Sequence, residues 1–122
     1  IKTPIVSVPG NHDIPLYDAF RRMINPFSRY REFIKPRTLA EFSDKDLVVV
    51  GINTVTRWRT VEGHISKGDI RRAQKLFKAA SPEALKLIIT HHPLSRGSKH
   101  TKLRPQKLAE ELFSLQPHLV LS

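Results

Sequence analysis

Four short apolar runs constrain this chain more than any other feature. TPIVSV at 3–8, DLVVVGI at 46–52, LKLIIT at 85–90 and HLVLS at 118–122 are rich in β-branched or aliphatic residues and too short for buried helices, so each predicts a strand. Between them the apolar spacing becomes helical. Leu16, Ala19, Phe20 and Met23 predict an amphipathic helix over about 16–24, stopped by Asn25-Pro26. Residues 27–37 are basic and aromatic and predict one further helical turn. Residues 39–43 and 46–52, joined by Asp44-Lys45, predict an antiparallel hairpin. Ser66 followed by Asp69 has the pattern of a capping box, opening a helix to about residue 80 with Ile70, Ala73, Leu76 and Phe77 on one face. Pro105 suits the first turn of a last helix, to about 115, with Leu108, Leu112 and Phe113 facing inward.

Strands that alternate with helices predict an α/β fold with parallel pairing, plus the one antiparallel hairpin. Ligands of such sheets gather at the C-terminal ends of the strands. Two polar clusters fall at those ends: Gly10-Asn11-His12-Asp13 after the first strand, and His91-His92 after the third. They lie 80 residues apart, yet the topology can set them side by side. Asn11 offers an amide oxygen, and His12, His91 and His92 offer imidazole nitrogens. Mixed oxygen and nitrogen donors suit Mn, Fe, Co, Ni and Zn.

Composition narrows the field. With no cysteine, the chain has no disulfide, thiolate metal site or thiol nucleophile. No apolar run approaches the ~20 residues of a membrane-spanning helix. No signal peptide opens the sequence, which predicts a cytoplasmic protein. At 122 residues it suits one domain or part of one, and a first residue of Ile suggests a piece of a longer product. Lys and Arg outnumber Asp and Glu by 21 to 11, for a net charge of +10. That excess clusters at 20–37 and 95–107. Nucleic acid is therefore a conceivable partner, but few aromatic residues interleave with the basic ones, so it is not favoured. Oligomer formation stays open.

PIVSVPGNHD resembles the strand-and-loop signature of the calcineurin-like metallophosphoesterases, a strand followed by G-N-H-D or G-N-H-E. LKLIITHHPL resembles a later signature of that family, a strand ending in a metal-binding His. The resemblance covers essentially the whole chain, though only these two motifs are specific. It implies a partial αββα sandwich of mixed β-sheets flanked by helices. It also implies a phosphate mono- or diester as substrate, a cyclic nucleotide among the candidates, hydrolysed by a two-metal hydroxide mechanism.

Residue roles follow by resemblance. Asn11 would bind one of two divalent ions. His91 would bind the same ion, with His92 as its rival. His12 would stabilise charge on the phosphate and protonate the leaving oxygen. Gly10 would let the backbone turn sharply, Asp13 would cap or pair locally, and Pro93 would fix the exit of its loop. Arg57 and Arg59 adjoin the expected site and are candidates for substrate binding. The family's D-x-H, G-D-x-x-D and G-H-x-H motifs do not occur in these residues. His64, in Gly63-His64-Ile65-Ser66, reads as a surface loop residue. The expectation is a single partial catalytic domain over 1–122, inactive by itself. Other readings of the same fold are a non-catalytic module or a basic nucleic-acid-binding module.

Overall fold

The computed structural model describes residues 3–37, 40–58, 62–94 and 103–122. Its centre is a four-stranded mixed sheet. Strand β1 (Glu41–Ser43) runs antiparallel to β2 (Leu47–Ile52), as the hairpin pattern predicts. The Asp44 carboxylate closes the turn by accepting from the N–H groups of Asp46 and Leu47. A two-residue strand β3 (Gly63–His64) precedes helix α2 (Lys67–Ala79). Strand β4 (Leu85–Thr90) then returns parallel to β2, and β6 (Leu119–Leu121) lies parallel to β4 on its other side. The order is β1-β2-β4-β6. A separate two-stranded sheet pairs β3 with β5 (Leu103–Arg104), which leads into helix α3 (Gln106–Ser114). This mixed α/β arrangement agrees with the fold expected from the sequence.

One face of the sheet carries the core. Val48, Val50 and Ile52 of β2 and Ile88 of β4 are buried with Ile65, with Ile70, Ala73 and Phe77 of α2, and with Leu108 and Leu112 of α3. Each large aliphatic side chain removed from water in this way contributes about 1.5–3 kcal/mol. Helix α2 starts where its sequence says it should. The Ser66 hydroxyl oxygen accepts from the Asp69 N–H, and the Asp69 carboxylate accepts from the Ser66 N–H. Pro105 sits one position earlier than expected, as the extended residue before α3.

Two expectations need correction. Residues 3–8 do not form a ladder strand. Only Val6 makes an isolated bridge. The segment instead lays the Val8 side chain against the Gly51 backbone of β2: a Cβ placed on Gly51 would lie 2.9 Å from Val8 Cγ1. Ser7 Oγ and Tyr30 Oη, 2.7 Å apart, hold the segment from the other side. The expected amphipathic helix at 16–24 is the shorter α1 (Ala19–Ile24), and it buries nothing. Leu16, Phe20 and Met23, expected to face inward, are exposed, Phe20 by 77%. Polar clasps fix α1 where apolar packing was expected. The Asp18 carboxylate accepts from the Arg21 N–H, the Arg22 guanidinium donates to the carbonyls of Pro15 and Arg57, and Arg57 donates to the Met23 carbonyl. After α1 come one turn of π-helix (Tyr30–Ile34) and one of 3-10 helix (Lys35–Arg37).

Candidate active site

The parallel register of β2 and β4 sets up the site. Ile52 lies opposite Thr90, so the chain leaves both strands together, into Asn53-Thr54 on one side and His91-His92 on the other. The two histidines then diverge. His92 turns inward and is only 5% exposed. Its Nδ1 lies 2.8 Å from the fully buried Thr54 Oγ1, and its backbone N–H donates to the same oxygen at 3.3 Å. The Thr90 hydroxyl donates to the His92 carbonyl at 2.9 Å. His91 turns outward, its ring edge-on to that of His92 with centroids 5.1 Å apart.

Across from His91 stands the other motif. Asn11, His12 and Asp13 form a single 3-10 turn. The Asp13 carboxylate closes it by accepting from the Gly10 N–H at 2.7 Å, so this acid pairs locally as expected. Asn11 Oδ1 comes to 3.1 Å from His91 Nε2, spanning 80 residues of sequence. Gly10 permits the approach, but not for the reason expected. Its φ of −97° is extended backbone open to any residue. Space is what favours glycine here, because a Cβ would lie 3.2 Å from His91 Cε1 and push the ring aside by a few tenths of an ångström. The whole motif is carried by residues 7–9, seated on Gly51 at the end of β2.

His12 is exposed and does not join the Asn11–His91 pair. It lines a cleft of about 270 Å³ between its own loop and α1. Arg57 is exposed, donates to the Met23 carbonyl of α1 and holds its guanidinium carbon 5.9 Å from the centre of the Trp58 ring. Arg59 lies outside the described residues, as does the basic stretch 95–102. His64 is exposed as expected, but in β3, where its N–H donates to the Thr54 carbonyl. Pro93 is exposed after the histidine pair.

An amide oxygen and an imidazole nitrogen 3.1 Å apart can share one ion at the ~2.0–2.2 Å bond lengths of borderline divalent metals. The pair is thus a fitting part of a ligand set. It is no complete set: among the described residues, no group of three or more His, Asp or Glu is placed to hold a metal ion. Thr54 escaped the sequence reading. Nothing in its neighbours marks it, and only the β2–β4 register places it under His92.

The family model for calcineurin-like phosphoesterases matches residues 1–122. No curated protein and no solved structure matches the chain. Among the described residues no helix is long and apolar enough to cross a membrane. The family match extends over the whole length and takes in both loops that meet at Asn11 and His91. This chain belongs to the calcineurin-like phosphoesterase family, whose members are generally hydrolases of phosphoesters that bind two divalent metal ions.

Proposed function

We propose that the intact protein hydrolyses a phosphate mono- or diester, with Asn11 Oδ1 and His91 Nε2 holding one divalent ion and His12 serving as general acid. The 3.1 Å approach of those two donors, from loops 80 residues apart in sequence, carries the reading. Bound metal ions supply Lewis-acid activation and neutralise charge on the phosphoryl group. The chain's own residues do the rest. The Thr54–His92 lock fixes the loop, so that His91 presents its ring without rotating away. The tight Asp13–Gly10 turn holds Asn11 against it. Water adds to phosphorus and gives up a proton to solvent, the bond to the leaving oxygen breaks with its electron pair staying on that oxygen, and His12 supplies the proton that neutralises it. Mn, Fe, Co, Ni and Zn all suit the donor set.

The test is metal-dependent release of phosphate or alcohol by the intact protein from a panel of mono- and diesters. Turnover should vanish on chelation and return on adding Mn²⁺. Metal-loaded protein without turnover on any phosphoester overturns the proposal.

A further inference from the structure

The cleft beside His12 has a charge pattern that the hydrolytic reading does not use. Its walls include His12, Asp13, Tyr17, Asp18, Arg21 and Arg29. Both acids are committed within the chain. Asp13 accepts from the Gly10 N–H, and Asp18 accepts from the Arg21 N–H and lies 3.9 Å from the Arg21 guanidinium. Arg21 is therefore already paired with an acid. Arg29 is not: its side chain makes no hydrogen bond or ion pair with any described residue. Nor does that of His12. An arginine without a partner shares one cleft with the imidazole that would protonate a leaving oxygen. The cleft also holds apolar surface, and Tyr17 stands wholly exposed at its wall, able to offer a ring face.

We infer that this cleft receives the leaving group and favours an alcohol that itself carries a phosphate, gripped by Arg29 with help from Arg21. The inference rests on the hydrolase reading for its chemistry, because His12 marks which side of the phosphoester departs. A guanidinium presents a planar fork of donors that matches phosphate oxygens in two parallel hydrogen bonds. Such charge-assisted contacts, made inside a cleft, are worth about tenfold or more in specificity. The exposed ring of Tyr17 suits a sugar or base between the two phosphates.

Adenosine 3′,5′-bisphosphate and adenosine 3′-monophosphate form a matched pair of probes. They share the scissile 3′ bond and differ only in the phosphate on the leaving alcohol. The intact, metal-loaded protein should show kcat/KM at least about tenfold higher for the bisphosphate. Arg29→Gln should bring that ratio close to one, and Arg29→Lys should restore part of it. Arg29 is exposed at the helical start of the π-turn and its side chain is not part of the core, so neither change threatens folding. Equal rates on the two probes, or an unaltered ratio in Arg29→Gln, overturn the inference while leaving a phosphoesterase standing. A binding measurement separates the two claims if neither probe is cleaved. Adenosine 5′-monophosphate, the leaving product, should bind the wild-type protein by calorimetry and shift the His12 ring resonances. Arg29→Gln should weaken that binding by a similar factor. Binding that is absent, or indifferent to Arg29, overturns the inference whatever the fate of the hydrolase reading.

Discussion

Replacing Thr54 by Val tests how the two histidines are sorted. The side chains are nearly the same size, so no cavity opens in the fully buried site. What disappears is one hydroxyl that serves two groups of His92: Nδ1 at 2.8 Å and the backbone N–H at 3.3 Å. Stripping the partner from a buried polar group costs about 1–3 kcal/mol. The second contact is long, so it counts at the low end, and the expected loss is about 2–3 kcal/mol. Thr54→Ser keeps the hydroxyl and loses only a methyl, at a cost of about 1 kcal/mol. Denaturant unfolding of the intact protein and both variants, with m-values compared, reads the difference. A Thr54→Val loss below about 0.5 kcal/mol, or a Ser variant as damaged as the Val variant, refutes the account of the lock.

His12→Ala should cut turnover by about 10²–10⁴ with metal content nearly unchanged, and by less on esters with very acidic leaving groups, which need no proton. A metal-free variant would make His12 a ligand, not an acid. Gly51→Ala would place a Cβ 2.8 Å from the Ala40 carbonyl oxygen and 2.9 Å from Val8 Cγ1. It should destabilise the protein by about 1–3 kcal/mol and weaken metal binding, by moving the segment that carries Asn11. Stability and affinity that both match wild type contradict that linkage; calorimetry and denaturant titration measure the two.

The parts legible in the sequence are those where local chemistry and tertiary packing agree. Strand β4 has the bounds its apolar run predicts, and α2 begins at the reciprocal bonds of Ser66 and Asp69. The meeting of Asn11 with His91 follows from placing both loops after strand-like runs of an α/β fold, before any register is known. The failures occur where a second element decides. TPIVSV has strand composition, but it meets β2 through Val8 and Gly51 side chain to backbone, without a ladder. Helix α1 has an apolar stripe, but its ties to the rest of the chain are polar, from Arg22 to the Arg57 carbonyl and from Arg57 to the Met23 carbonyl, and the stripe stays in solvent. The Thr54–His92 contact and the closeness of Gly10 to His91 both depend on β2 and β4 being parallel neighbours. Periodicity along a single chain does not encode that pairing.

The central claim is that Asn11 and His91 hold one metal ion while His92 is held in place by Thr54. Anomalous diffraction from crystals of the intact protein grown with Mn²⁺ tests it most directly. The account predicts an anomalous peak within bonding distance of both Asn11 Oδ1 and His91 Nε2, with His92 Nδ1 still on the Thr54 hydroxyl. A peak bonded to His92 or His12, or fully loaded protein with no peak at the Asn11–His91 pair, contradicts it.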